Sequence, residues 1–418
     1  MPDNRDLRDS DETDAQGPMT QDAVTRSAPP LILAVSLLGI TQIISWGSLM
    51  YAVAVLAQPM ASSLGMSTTT VFGAFSLSLG ASGLASRAVG RAIDRFGGGT
   101  VMSAGSIASA IALTMIALAQ GPFLLFAGWL VAGVAMAATL YDASFPTLSQ
   151  FAGARYRQAL TALTLFGGFA STVFWPLSWY LDGTLGWRLA LGAFALMHLV
   201  ICLPIHRFGL PRERVPVPPA DGSQATGTGR HRRHTFLWLA AAFTVASFVI
   251  SATAAHGVGA LMASGLDSGT AIFAASLIGP MQVVGRIVEF VFARGVAASR
   301  VGLAAFTVML LAMLLLWLAG LSPWFAFAFA CAYGLSNGVM SIVRGTVPAE
   351  LFGREGYGAL MGQIAQPAFL AKAAAPILVA TLISNGESHA AMALLLATLS
   401  AVALGAYVVA IRERPRRR

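Results

Sequence analysis

Twelve apolar runs follow one another along this chain of 418 residues, and the arginines gather at every second gap between them. Each run approaches the roughly 20 residues that an α-helix needs to cross a hydrocarbon core. The first covers 31–56, the tenth 324–342 and the last 390–411. Of the 26 basic residues, 23 fall into seven clusters. Arg5, Arg8 and Arg26 precede the first run, Arg87, Arg91 and Arg95 follow the second, and Arg155 and Arg157 follow the fourth. Six arginines between 207 and 233 follow the sixth run, Arg294 and Arg300 the eighth, Arg344 and Arg354 the tenth, and five close the sequence. Basic residues on alternate connections mark the cytoplasmic side of a polytopic membrane protein. An even number of runs then puts both termini on that side.

Composition supports the same class. With 56% hydrophobic and 11% charged residues and a mean hydropathy of +0.72, the chain has too little polar surface for a soluble globule. Its net charge of +8 follows from the cytoplasmic arginines, so no nucleic-acid partner is expected. Residues 1–30 carry seven acids and three arginines with few large apolar side chains, and read as a disordered cytoplasmic tail. Residues 207–234, rich in proline, glycine and arginine, read as a cytoplasmic linker. It divides an N-terminal six-helix bundle (31–206) from a C-terminal one (235–411), and 412–418 form a basic tail. The expected fold is therefore an all-α membrane protein of twelve spans in two bundles. Cys202 and Cys331 lie inside runs as core thiols, and no metal-ligand cluster or disulfide framework is present in the sequence.

Three basic residues stand outside the clusters: Arg188, Arg286 and Lys372, the last being the only lysine. A cation near the bilayer centre costs roughly 2.5–3.5 kcal/mol on insertion scales, so it is expected to face the bundle interior and meet an anion or water. Arg286 lies about 6 residues (~9 Å) from the cytoplasmic end of span 8, and Lys372 about 15 residues (~22 Å) from the cytoplasmic start of span 11, at 1.5 Å per residue. Two bland readings stay open: a snorkelling interface arginine for Arg286, and a salt bridge from Lys372 to Asp142 or Glu289. Gln282, Arg286 and Glu289 share one helix face by their i, i+4, i+7 spacing. Gln42 and Trp46 on span 1 and Tyr333 and Asn337 on span 10 are further candidates for a polar cavity lining. Asp142 is the one acid deep in the N-terminal half, and titratable coupling group and structural counter-ion are both open for it. His198 and His256 read as helix-packing or interfacial residues in preference to proton relays. Gly334 to Gly338 and Gly358 to Gly362 have the GxxxG spacing that lets helices approach closely. The same Gly334–Gly338 stretch matches G-x-S-x-G by accident, since it lacks a strand-to-helix elbow. No phosphate-binding G-x-x-x-x-G-K is present, and no enzyme activity or cofactor is expected.

Gly90-Arg91-Ala92-Ile93-Asp94-Arg95-Phe96-Gly97, between spans 2 and 3, resembles the G-x-x-x-D-R-x-G loop of the major facilitator superfamily. The resemblance in span count, linker and halves covers the chain from Leu31 onward. It implies that Gly90, Asp94, Arg95 and Gly97 form a gating loop whose aspartate and arginine lock two helix ends on the cytoplasmic side. Gly98 and Gly99 stand where the family often places a basic pair. Gly279 to Arg286 and Phe369 to Ala375 resemble the bacterial monocarboxylate porter and oxalate:formate antiporter branch, which implies that Arg286 and Lys372 bind a substrate carboxylate. Proton-coupled members of that branch carry an aspartate where this chain has Gln282.

The function these resemblances imply is secondary active transport by alternating access, as symporter or antiporter, of a small organic anion such as a mono- or dicarboxylate. Substrate-binding candidates are Arg286, Lys372, Gln282, Gln42, Trp46, Tyr333 and Asn337, with Asp142 and Glu289 as coupling or counter-ion groups. Efflux of a drug or metalloid is the alternative within the fold, and a transporter-like membrane sensor is a remote one. The expected partners are a small-molecule substrate, protons as a candidate coupling ion, and the lipid bilayer, for a monomer in a bacterial cytoplasmic membrane.

Overall fold

The computed structural model describes residues 31–211, 229–293, 295–384 and 389–412. The expected tail over 1–30 lies outside these, as do the middle of the expected linker and the last six residues. The described residues are helical, with no strand among them. Eleven segments are long and apolar enough to cross a bilayer: Leu31–Leu64 (span 1), Gly98–Ala117 (span 3), Pro122–Phe151 (span 4), Gly153–Leu185 (span 5), Trp187–Gly209 (span 6), His231–Ala263 (span 7), Ser268–Phe292 (span 8), Ala298–Gly320 (span 9), Pro323–Phe352 (span 10), Tyr357–Leu382 (span 11) and Ala390–Arg412 (span 12). Span 2, Thr68–Phe96, is as long but more polar, because its final turns carry Arg87, Arg91, Asp94 and Arg95.

Several boundaries move outward from the apolar runs, among them the end of span 2, which reaches Phe96. Span 1 continues to Leu64, and span 10 continues to Phe352. Hydrophobicity ends where a helix leaves lipid, but backbone hydrogen bonding continues as long as the helix packs on neighbours. Helix also enters both ends of the expected linker, reaching Gly209 and resuming at Gly229.

The two halves use the same local devices about 200 residues apart. Gly65 and Gly265 both take a positive φ (63° and 98°) between spans 1–2 and 7–8, a conformation that glycine adopts without a Cβ penalty. Two residues on, Ser67 and Asp267 cap the next helix: Ser67 Oγ accepts from the Thr70 N–H at 3.1 Å, and Asp267 Oδ1 from the Thr270 N–H at 3.0 Å. Pro122 and Pro323 open spans 4 and 10, and Pro146 and Pro348 lie inside them. These repeats place matching residues of the two halves opposite one another.

One apolar core is built on spans 7 to 12, a second on spans 1 to 6 with Ala365 and Phe369 of span 11 packed into it, and a third joins the halves through Ile342, Tyr357 and Met361. Inside the N-terminal half, His206 bridges Ser106 Oγ (2.8 Å) and Thr41 Oγ1 (3.0 Å), and His198 bonds Ser48 Oγ (2.9 Å). These buried contacts join spans 1, 3 and 6, as expected for a packing histidine at 198. Span 4 breaks at Leu140, whose backbone is extended. The break leaves the Thr139 carbonyl without its helical donor, and Gln42 Nε2 supplies one at 2.7 Å.

Candidate substrate site between the two halves

The break at Leu140 starts a new helical segment at Tyr141, so Asp142 sits in a first turn, where a negative charge is favoured by the helix dipole. Its partner comes from the matching position of the other half: Arg344 Nη2 donates to Asp142 Oδ1 at 2.6 Å. Arg344 therefore belongs to the interior of span 10. It is not one of the cytoplasmic connection arginines with which its position in the sequence groups it. Both partners are mostly buried, with 16% and 6% of their side chains exposed. Lys372 lies in the electrostatic field of this pair. Its Nζ stands 5.3 Å from the centroid of the Phe369 ring, and the Arg344 guanidinium stands 5.5 Å from the same ring. One aromatic ring thus serves two cations. Pro376 has no N–H to give the Lys372 carbonyl, and Ser251 Oγ of span 7 donates to it instead at 2.8 Å. His256 Nε2 does the same for the Pro376 carbonyl at 2.9 Å, the packing role expected of it.

Arg286 occupies a different neighbourhood. It is 7% exposed, points inward from span 8, and lies close to Tyr51 and Tyr141 of the N-terminal half. Gly167 and Gly168, where span 5 bends, make room for this group. A Cβ at Gly167 would sit 2.1 Å from the Tyr141 hydroxyl, and one at Gly168 would sit 2.1 Å from Arg286 Nη1. Arg286 Nε and Trp46 Nε1 are both buried without a hydrogen-bond partner. Trp46 packs on Tyr141 with centroids 4.9 Å apart. The snorkelling reading for Arg286 is thereby set aside.

Gln282 and Asn337 are half-buried on facing spans 8 and 10, which approach closely because Gly338 has no side chain: a Cβ there would lie 2.2 Å from the Gln282 carbonyl oxygen. Three expected lining or counter-ion residues lie elsewhere. Tyr333 faces into the C-terminal core, its ring 5.7 Å from Phe329 and its hydroxyl donating to the Ile250 carbonyl at 3.1 Å. A large ring with a satisfied hydroxyl packs better there than in a wet cavity. Gln42 holds the Thr139 carbonyl, as described. Glu289 pairs with neither Lys372 nor Arg286. It accepts from Arg157 Nη2 at 2.7 Å and Nε at 3.1 Å, and from Thr161 Oγ1 at 2.9 Å.

The Arg157–Glu289 contact is part of a seal on the arginine-rich side. Asp94 Oδ1 and Oδ2 accept the N–H groups of Gly358 and Ala359 at 2.8 and 2.7 Å, so the carboxylate caps the start of span 11. Arg354 Nη1 donates to the Gly153 carbonyl at 2.7 Å. Tyr156 and Tyr357, matching residues of the two halves, bring their hydroxyls within 3.2 Å of each other, and both hydroxyls reach the Gly345 carbonyl oxygen, in one small network that shares their two protons and the oxygen lone pairs. Spans 2 and 11 touch backbone to backbone: a Cβ on Gly90 would lie 2.0 Å from the Gly358 oxygen, and one on Gly362 would lie 2.3 Å from the Ser86 oxygen. By contrast, 52–64 of span 1 and 170–185 of span 5, at the other side, find their packing partners within their own half. The halves therefore meet over the arginine-rich side of the central residues. The motif loop departs from expectation at Arg95, which is exposed over the Phe96 ring. The loop is instead clamped by Gln150, whose Oε1 accepts from Gly98 N–H (3.0 Å) and whose Nε2 donates to the Ile93 carbonyl (3.1 Å). Gly98 is pressed against Thr147, 2.0 Å from where a Cβ would lie, so this loop has no room for a basic side chain there.

The family model described as Major Facilitator Superfamily matches residues 38–376. The chain belongs to this superfamily. No curated protein matches it. Among solved structures, the superfamily proton:xylose symporter XylE bound to 6-bromo-6-deoxy-D-glucose superposes with a TM-score of 0.70 at 11% identity, over 92% of this chain and 96% of XylE. The human organic anion transporter MFSD10 (TETRAN) gives 0.66 at 16% identity, over 91% of this chain and all of its own. FucP, a major facilitator in the outward conformation, gives 0.70 at 12% identity, over 93% of this chain and all of its own. As a major facilitator, the chain is a multi-pass membrane transporter and not an enzyme. The residues that sequence reasoning passes over, Arg344, Arg157, Gln150 and the Tyr156–Tyr357 pair, all act across the boundary between elements. Only the 200-residue repeat carries a signal for them: Asp142-x-x-x-Pro146 in span 4 has its counterpart in Arg344-x-x-x-Pro348 in span 10.

Proposed function

We propose that this major facilitator is a secondary active transporter of a small organic anion, a mono- or dicarboxylate, that moves its substrate by alternating access at the Arg286–Arg344–Lys372 region. The observation that carries this reading is a charge imbalance. Three cations face the boundary between the halves, and the one carboxylate among them, Asp142, is already paired with Arg344. Glu289 is taken up by Arg157. An anionic ligand balances the remainder, with arginine offering a two-point fork and lysine a mobile point charge. Trp46, Gln282 and Asn337 are the polar and aromatic neighbours assigned to the ligand. The same pairing of Asp142 disfavours a cationic drug, which would need that acid free. The likeness in fold to the organic anion transporter MFSD10 agrees with the reading. Asp142 is assigned as counter-ion rather than proton carrier, and the arginine bias fits a bacterial cytoplasmic membrane.

The test is uptake into proteoliposomes, screened across labelled carboxylates with and without a pH gradient. Lys372→Ala should abolish carboxylate uptake at normal expression, and Lys372→Arg should restore only part of it. Full transport by Lys372→Ala, or uptake confined to cationic or neutral compounds, would overturn the anion reading.

A further inference from the structure

Five aromatic rings form a continuous path beside Arg286. Phe145 stacks on Tyr141 with centroids 4.9 Å apart and planes at 12°, and Tyr141 packs on Trp46 at 4.9 Å. Trp46 meets Tyr51 at 6.2 Å, and Tyr51 meets Trp175 edge-on at 6.2 Å and 83°. The path runs from span 4 through span 1 to span 5, past the guanidinium that Gly168 admits. At its far end Trp175, 48% exposed, and Trp179, 73% exposed, line a shallow open depression together with Ala54, Val55, Thr172 and Pro176.

This wall does more than fill space. The Trp46 indole N–H is buried without an acceptor, and so is Nε of Arg286, which faces the Tyr51 and Tyr141 rings that flank Trp46. Leaving two buried donors unpaired costs free energy unless a ligand completes them. Arg286 also lacks an acidic partner among the described residues. The unsatisfied chemistry is thus an anion with hydrogen-bond acceptors, set against a surface of ring faces and edges. A short aliphatic acid would satisfy the donors and leave the rings uncovered.

We propose that the substrate is a carboxylate carrying an aromatic ring, with its carboxylate on Arg286 and Trp46 Nε1 and its ring against the Trp46–Tyr51–Trp175 wall. This rests on the anion reading above and names the class of anion.

The experiment is competition for labelled benzoate on the purified full-length protein, using unlabelled benzoate, acetate, oxalate, cyclohexanecarboxylate and benzamide. Ring contacts of this kind predict that benzoate competes about tenfold better than acetate. Benzoate should also exceed cyclohexanecarboxylate, which matches its size without a π face. In Trp46→Leu and Trp175→Leu the benzoate-to-acetate ratio should collapse toward one, and Trp46→Phe should keep most of it if the fold depends on a ring at that position. Acetate, oxalate or cyclohexanecarboxylate competing as well as benzoate would overturn the aromatic class and leave the anion reading standing. Benzamide competing as well as benzoate would leave the ring contacts and overturn the anion reading. An unchanged ratio in both leucine variants, or oxalate exchange in proteoliposomes without benzoate binding, would also sink this inference.

Discussion

The Asp142–Arg344 pair joins matching positions of the two halves inside the membrane, and its removal is the sharpest test at the scale of single residues. Breaking a buried pair from one side strands the other charge, at about 3–5 kcal/mol. Asp142→Asn leaves Arg344 facing Lys372 with no acid between them. Its thermal midpoint and purified yield should drop, and substrate exchange and gradient-driven uptake should fall together. The double variant Asp142→Asn/Arg344→Gln should regain part of the lost stability, because residues in one ion pair couple by about 0.5–3 kcal/mol. A double variant as unstable as the sum of the singles in a fluorescence melt would mean that the pair is incidental. Intact exchange without pH-driven accumulation in Asp142→Asn would instead return Asp142 to the role of proton carrier. Sequence reasoning identifies Asp142, Arg286 and Lys372 as charges needing partners, but not the partners themselves. Isolation in an apolar run is a property of the run, whereas pairing depends on where another helix places its side chain. Arg344 is hidden because it stands just past the end of its apolar run and looks like a member of a cytoplasmic cluster.

Spans 2 and 11 form the most intimate contact between the halves, and glycine makes it possible. Gly90 has the Gly358 oxygen 2.0 Å from where its Cβ would be, whereas Gly80 on the same span has nothing within 4 Å. Gly90→Ala should therefore push the two helices apart, and Gly80→Ala should behave as the parent. The comparison can be read by thiol labelling of a cysteine placed at Thr346, buried 6% exposed near the seal, after Cys202 and Cys331 have been replaced. Faster labelling in Gly90→Ala but not in Gly80→Ala is expected. Equal rates in all three would show that the contact adjusts without opening. At this scale the sequence is largely readable. Apolar runs give the number of spans, and the glycine spacings mark the close approaches. The ends of spans 1 and 10 are not readable in this way, because packing on a neighbour extends helix beyond the lipid-facing residues, which a one-dimensional apolar count does not sense.

Across the whole molecule, each half sends an acid to the start of the other half's fifth helix: Asp94 to the N–H groups that open span 11, and Glu289 to Arg157 near the start of span 5. Contacts present in only one conformation set the balance between conformations. Asp94→Asn and Glu289→Gln should each raise cytoplasmic labelling of the Thr346 cysteine by about fivefold or more, the lower end of usual coupling energies. Because the two acids lie at separate contacts, the double variant should show roughly the product of the two effects. A double variant no different from either single would mean one cooperative latch instead of two. That the spans divide six and six is legible in the proline- and glycine-rich stretch between spans 6 and 7, and their sidedness in the arginine spacing. Which way the bundles lean is not, since hydropathy is the same in every conformation. Lys372 has a practical consequence of a different kind. It carries the one ε-amine in 418 residues, and it stands where the halves meet. A lysine-directed acylating reagent therefore has one side-chain amine to modify, and the protection that a bound anion gives against it measures occupancy beside Lys372 in unmodified protein, without an engineered label.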